Sequence, residues 1–405
     1  MFNIAFTELV PKTLAVKLTA VGERSVRSGH PWIFSESIEK INKAGEAGDI
    51  AVIFSHTKNK VIGVGLYDPD SPIQIKMVHF DGGATLNTSF FAEQIARAYA
   101  LRLELLETNT NSYRLLFGEN DGFPGFIADV YANVLVVKLY SKIWLPYLEV
   151  ILKELIDISG CDSIVLRLSR KLQQGATEFS DGQIIYGALE NEVVQFVEHG
   201  VHFSANVIKG HKTGYFLDHR ANRKQVGELS TGKTVLDVFS YAGGFSVHAL
   251  AKGATEVTSL DISKQALEAA QANGILNAHD GIHKIIAGDA FEEMRRLIAS
   301  QQRFDVVVID PPSFAKSKKE ISVAKKKYQQ LAQLGEKLTK KGGMLVLASC
   351  SSRILAQEFF KINEDVLKGQ ERIFKNFEKT RHDVDHPISF PEGAYLKCAY
   401  YQFSE

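Results

Sequence analysis

The chain holds 405 residues with 47 basic and 47 acidic side chains, so its formal net charge is zero. That length is too great for one ordinary core, and three domains are expected. Zero net charge argues against a wholesale electrostatic grip on nucleic acid, and 45% hydrophobic with 23% charged residues is an ordinary soluble balance, with no candidate membrane span. The N-terminal run carries Glu8 and neither a basic start nor a small-residue cleavage site, which argues against a signal peptide. Cys161, Cys350 and Cys398 are too few and too scattered for a disulfide framework or a zinc site, so a reducing cytoplasm and no metal are expected.

Residues 1–82 contain short β-type runs at 50–54, 60–67 and 73–80, separated by Gly, Asp, Asn and Pro turns, and predict a small β-barrel. Four basic residues and one Glu lie between Lys12 and Arg27. Arg24, Arg27 and the nearby His30 are candidates for RNA phosphates, whereas Trp32 and Phe34 read first as core aromatics. Residues 90–107 place apolar side chains at helical spacing, followed by a loop and hairpin strands at 126–130 and 134–140. A helix at 146–158 and a strand at 163–167 complete a central α+β domain over 83–195. From 230 onward, strands at 234–239, 256–261, 283–287, 305–310 and 343–349 alternate with amphipathic helices, which predicts an α/β domain over 196–405 with a parallel sheet. Its ligand belongs over the carboxyl ends of those strands, where Asp237, Asp261, Asp289, Asp310 and Cys350 fall.

The run VLDVFSYAGGFS, 235–246, is the most informative stretch. An apolar strand reaches Asp237 and Phe239, then Ser240, Tyr241 and Gly243 form a turn in which the main chain can approach a ligand. Asp261, with Ile262 and Ser263 behind it, ends the next strand 24 residues after Asp237, a typical place for a carboxylate that holds ribose hydroxyls. Asp289 and Ala290 follow the third strand. A plain βαβ turn is the bland alternative. The G-x-G-x-x-G pattern is absent, so there is no cradle for a pyrophosphate, and a phosphate-free cofactor, S-adenosylmethionine, fits better.

The strand FDVVVIDPPSF ends in Asp310, Pro311 and Pro312, whose rings fix the backbone, with Phe314 as an aromatic that could stack a base. Six lysines and one Glu lie between Lys316 and Lys327, with Lys316 and Lys318 nearest the motif; a solvated face is the bland reading of such a run. The next strand delivers Cys350 to the same rim, and the polar Ser349, Ser351 and Ser352 suggest a strand leaving the core. A lone Cys there is most often a small core residue. Facing a base held by Asp310, however, its thiolate could attack C6 of cytosine and make C5 nucleophilic, given a pKa lowered by the cofactor's charge and nearby lysines.

The runs RSGHPWIFS (27–35), SYRLLFGENDGFPG (112–125), EHGVHFSANVIKGHKTGYFLDHR (198–220), SYAGGFS (240–246), DPPSFAKSK (310–318), SCS (349–351) and DHPISFPEGAYLK (385–397) resemble, over nearly the whole chain, the RlmI-like class I methyltransferases, which make 5-methylcytosine in large-subunit ribosomal RNA. The resemblance implies an N-terminal PUA domain, a central α+β domain and a C-terminal Rossmann-like methyltransferase domain. It implies Cys350 as nucleophile, and Phe216, Asp218 and Arg220 beside the cofactor. It also explains His382, Asp383, Asp385 and His386 without a metal. Two departures stand out: Ser313 replaces the Lys that often follows the two prolines, and 310–314 lacks the second cysteine of two-cysteine cytosine methyltransferases. The expected partner is large-subunit ribosomal RNA, with no membrane and a homodimer as one possible state. Methylation of another base without a covalent step, or a non-catalytic RNA-binding assembly factor, are the alternatives.

Overall fold

The computed structural model describes residues 1–175, 178–370 and 372–404, and their contacts form two compact units. The first comprises Met1–Val197, Ser204–Leu217 and Val384–Gly393; the second comprises Glu198–Phe203, Asp218–Asp383 and the chain from Ala394 onward.

In the first unit, a six-stranded sheet runs in the order Trp32–Phe34, Ile73–Phe80, Val61–Tyr67, Ile50–Phe54, Thr13–Leu18, Ile38–Ile41. Strict alternation along Thr13–Leu18 buries Leu14, Val16 and Leu18 completely, as period-two patterning requires. A five-stranded sheet follows in the order Gln183–Tyr186, Ser163–Leu168, Val134–Leu139, Phe126–Tyr131, Ser112–Phe117. Its one parallel pair, Val134–Leu139 with Ser163–Leu168, is joined through the helix Leu148–Ser159, the crossover that parallel pairing demands. The expected helix at 90–107 is two helices, Thr88–Ala100 and Leu103–Leu106. The break falls at Arg102, whose wholly buried guanidinium grips Asp121 at 2.6 and 3.1 Å and the carbonyls of Ala98 and Arg114. One hydrophobic cluster joins Val64, Leu66 and Val78 of the first sheet to Phe91, Trp144 and Ile151 around the second.

The second unit is built on a seven-stranded sheet in the order Ile282–Ala287, Glu256–Asp261, Thr234–Val238, Phe304–Ile309, Thr339–Ser349, Lys397–Phe403, Phe374–Thr380. The first five strands are parallel, and Lys397–Phe403 runs antiparallel to Thr339–Ser349. Val235, Leu236, Val238, Val306, Val307 and Val308 are all fully buried, the signature of strands covered on both faces. The order reverses between Thr234–Val238 and Phe304–Ile309, so a crevice for a ligand opens at their carboxyl ends. Among the described residues no helix is long and apolar enough to cross a membrane.

Candidate active site

The strand Thr234–Val238 ends one residue before the sequence pattern suggests, because Phe239 adopts φ 65° and breaks the extended backbone. Tyr241 at φ 47° and Gly243 at φ 78° then turn the chain into the helix Gly244–Ala251. Two left-handed non-glycine residues within three positions store strain of about 1–3 kcal/mol each, a cost that recurs at ligand-binding turns. Asp261 holds the turn: Oδ2 accepts from Tyr241 N–H and Oδ1 from Ser263 N–H, both at 2.9 Å. Asp237 is wholly buried. Its Oδ2 accepts from Ser246 N–H at 3.0 Å and Ser246 Oγ at 2.7 Å, while Oδ1 has no hydrogen-bond partner among the described residues. Burial pushes its carboxyl up to about 7. Ser240 Oγ is buried and likewise without a partner.

These features fit S-adenosylmethionine. Two buried polar atoms, Asp237 Oδ1 and Ser240 Oγ, have no hydrogen-bond partner among the described residues, the Asp261 carboxylate lies next to the strongly exposed apolar Ile262, and the turn lacks the glycine pattern that cradles a pyrophosphate. Ser263 caps the helix Lys264–Ile275, while exposed Asp289 caps Ala290–Ala299 through Glu292 N–H at 3.1 Å and Ala290 is buried.

Asp310 and Cys350 leave neighbouring parallel strands, Phe304–Ile309 and Thr339–Ser349. Between them sits His219, a residue the sequence reading passed over: its Nε2 lies 3.4 Å from Asp310 Oδ1 and 3.6 Å from Cys350 Sγ. One ligating atom from each of the three residues falls within 4.8 Å of the others, a spacing that also suits a metal ion. The Cys350 thiol is pushed well up by burial and by the Asp310 and Asp218 carboxylates, with Lys397 opposing them. This corrects the expected lowering by nearby lysines: Lys316 and Lys318 are solvent-exposed, and the cation that does act on the thiol is buried. Lys397 Nζ donates to the carbonyls of Ser351, Ile354 at 2.6 Å and Tyr395 at 3.0 Å, pinning the turn that follows Cys350. The flanking serines also differ from expectation. Ser349 and Ser351 are wholly buried, Ser349 against the Tyr328 hydroxyl at 2.8 Å, and Ser352 is exposed.

Of the other candidates, Pro311 is buried and Pro312 exposed. Phe314 is half-buried with its ring against Tyr328 and Phe291 and with Lys327 Nζ 4.7 Å over its face, so that face is already taken. Asp218 accepts from the Tyr395 hydroxyl at 2.9 Å. Arg220 is wholly buried and paired with Asp383 at 3.1 Å, which gives it a structural partner inside the second unit. Phe216 belongs to the first unit, exposed and stacked on His211. There too Arg24 and Arg27 are exposed, Arg27 paired with Glu23, while His30 is half-buried, 3.3 Å from Glu392 and edge-on to Trp32 and Phe390. Trp32 is only half-buried and donates Nε1–H to Glu119; in its run it is Ile33 that enters the core.

A seven-stranded sheet in which only the strand next to one edge, Lys397–Phe403, runs antiparallel to its neighbours, with acidic strand tips around a glycine turn, defines a class I S-adenosylmethionine-dependent methyltransferase. Residues 114–382 match the family model of S-adenosylmethionine-dependent methyltransferases, and residues 16–80 match that of PUA-like domains. The chain belongs to the ribosomal RNA large subunit methyltransferase I family. It is 39% identical over 397 residues to a ribosomal RNA large subunit methyltransferase of Deinococcus radiodurans, covering 96% of this chain and 97% of that one. It is 34% identical over 392 residues to ribosomal RNA large subunit methyltransferase I of Shewanella frigidimarina, covering 95% and 98%. In fold it is similar to a methyltransferase crystallised with SAH, with a TM-score of 0.81 at 20% identity over 96% of this chain and 100% of that one.

Proposed function

We propose that the protein methylates C5 of a cytosine in large-subunit ribosomal RNA, in the cytoplasm, with Cys350 as nucleophile. The observation that carries this reading is the approach of Cys350 and Asp310 on adjacent strand tips around His219. S-adenosylmethionine, when bound, supplies an electrophilic methyl group on a sulfonium; Asp237, Ser240, Asp261 and the turn through Gly243 would hold it. Cytosine C5 is a weak nucleophile, and a bond from Cys350 Sγ to C6 raises the electron density on C5. Asp310 supports that addition by hydrogen bonding at N3, where charge develops. Once C5 carries the methyl group, its remaining proton passes to a base or to solvent, the C–H electron pair re-forms the C5–C6 double bond, and Cys350 Sγ leaves C6 as a thiolate that is then reprotonated. Pro312, Lys316 and Lys318 at the exposed rim, and Arg24 and Arg27 on the PUA-like sheet unit, supply backbone contacts to RNA.

The test is direct. Protein, S-adenosylmethionine and unmodified large-subunit ribosomal RNA are incubated and the nucleosides identified by mass spectrometry; 5-methylcytidine is expected. Cys350→Ser is expected to lower the yield by about a thousandfold or more while keeping cofactor binding. Unchanged turnover rules out the nucleophile. The raised resting thiol favours one second reading, methylation of another position without a covalent step; a trapped adduct on RNA containing 5-fluorocytosine separates the two.

A further inference from the structure

Asn222 lies in the first turn of the helix Arg220–Leu229 and is 2% exposed. Its Oδ1 accepts from Thr380 Oγ1 at 2.5 Å and from the Tyr400 hydroxyl at 3.0 Å. Its amino group is therefore what meets His219 Nδ1, at 3.1 Å. An amide NH2 only donates, so that ring nitrogen must be bare and accept. A neutral imidazole then carries its proton on Nε2, the nitrogen that faces both Cys350 and Asp310.

We propose that Asn222 locks His219 in the Nε2–H tautomer, so that His219 serves Cys350 and Asp310 as a shared hydrogen-bond donor and Asp310 takes the thiol proton. This rests on the reading of Cys350 as nucleophile. A cysteine–histidine dyad of the protease kind needs a bare Nε2 to receive the thiol proton, and that position is filled. A metal bound by the same three residues needs the Nε2 lone pair and an outward donor at Nδ1, the opposite polarity.

The groups facing the thiol are Asp310, Asp218, Lys397 and Cys398; those facing the imidazole are Asp310, Asp218 and Arg223. Asp218 is engaged by Tyr395, Lys397 is spent on three carbonyls, and Cys398 is a fully buried thiol. Asp310 Oδ1 is buried and lies 3.4 Å from His219 Nε2, too loosely for a full hydrogen bond, and among the described residues no other donor holds it, which leaves it as the acceptor. In the step, the S–H bond breaks and an O–H bond forms on Asp310. One negative charge moves from oxygen to sulfur and none is created, while the Nε2–H turns from the carboxylate to the thiolate. The sulfur pair then bonds to C6, and the electron pair displaced through the ring is met at N3 by the proton from Asp310. Asn222 is thus a positioning residue acting through His219.

Two readouts test this in the full-length protein. Nitrogen NMR of histidine-labelled protein, assigned with His219→Gln, should show a bare Nδ1 and a protonated Nε2 at neutral pH; the reverse overturns the proposal. The rate of Cys350 alkylation by iodoacetamide against pH gives the second. Asn222→Asp would place a carboxylate that accepts a hydrogen bond from a protonated Nδ1 and so favours an imidazolium beside the sulfur, and the apparent thiol pKa should fall by about one unit or more, roughly tenfold faster alkylation at neutral pH. An unchanged profile in a variant of unaltered thermal midpoint overturns the proposal, and if Asn222→Asp does not fold, the NMR result on the natural chain decides. Retained 5-methylcytidine formation by Cys350→Ser would sink the nucleophile reading instead, leaving the tautomer to be read by NMR alone.

Discussion

Asp237 concentrates the electrostatics of the proposed cofactor pocket in one side chain. Burial raises its carboxyl from 3.8 to about 7, so between those values the folded state keeps a proton that the unfolded state has lost. Stability contributed at this residue therefore falls as pH rises through that window, by a total on the order of 4 kcal/mol. Oδ1 is the acceptor left open, and hydrogen-bond donors on a bound cofactor favour its ionised form. Cofactor binding near neutral pH is then expected to release a proton. Calorimetry in buffers of different ionisation enthalpy measures this directly: the observed heat should change with the buffer, and a buffer-independent heat would show that Asp237 does not ionise on binding.

At the level of the element, the turn from the strand Thr234–Val238 into the helix Gly244–Ala251 has one position that admits no side chain. A Cβ added to Gly243 would meet Ala270 Cβ at 2.7 Å, and the φ of 78° is itself unfavourable for alanine. Gly243→Ala is expected to cost about 1–3 kcal/mol of stability and to weaken cofactor binding, because the turn held by Asp261 must shift. Thermal denaturation with and without cofactor checks this; an unchanged midpoint and unchanged affinity would show that the helix start can move freely. The neighbouring element, the turn after Cys350, is held by the buried ammonium of Lys397, which ties it at the carbonyls of Ser351 and Ile354.

Across the whole molecule, the division into blocks 1–82, 83–195 and 196–405 stays a proposal, and it has an energetic consequence. Each block carries its own sheet, but Val64, Leu66 and Val78 share one core with Phe91, Ile95 and Trp144, and Tyr147 donates to the Gly48 carbonyl at 3.0 Å. Cutting between 82 and 83 would open that core to water. A fragment of residues 1–82 is expected to lose cooperative unfolding, whereas the intact chain should unfold its first unit as one transition; a sharp thermal transition in the fragment would show that the two blocks are independent. The balanced charge has a further meaning at this scale: the RNA binding we propose would come from local faces such as Arg24, Arg27, Lys316 and Lys318, not from a general field.

Local pattern made the strands of the second unit legible. Apolar runs bounded by Gly and Asp set the five parallel strands to within a few residues, and the spacing from Asp237 to Asp261 marked the turn we propose for the cofactor, because strand burial and turn geometry are short-range properties. Asp310 and Cys350 were readable for the same reason: each stands at the end of its own apolar run. His219, Asn222 and Lys397 were not. Each lies in or beside a quoted motif, yet its chemistry depends on contacts with Cys350, Thr380, Tyr400 or the carbonyl of Ile354, some of them more than a hundred residues away in sequence. The same distance effect explains Phe314, whose aromatic ring suited a base until folding laid Tyr328 and Lys327 against it. Residue type and periodicity decide which strands form and which reactive groups reach their tips. Which way a histidine carries its proton, and which cation faces a thiol, is decided only when distant strands and helices close around the site.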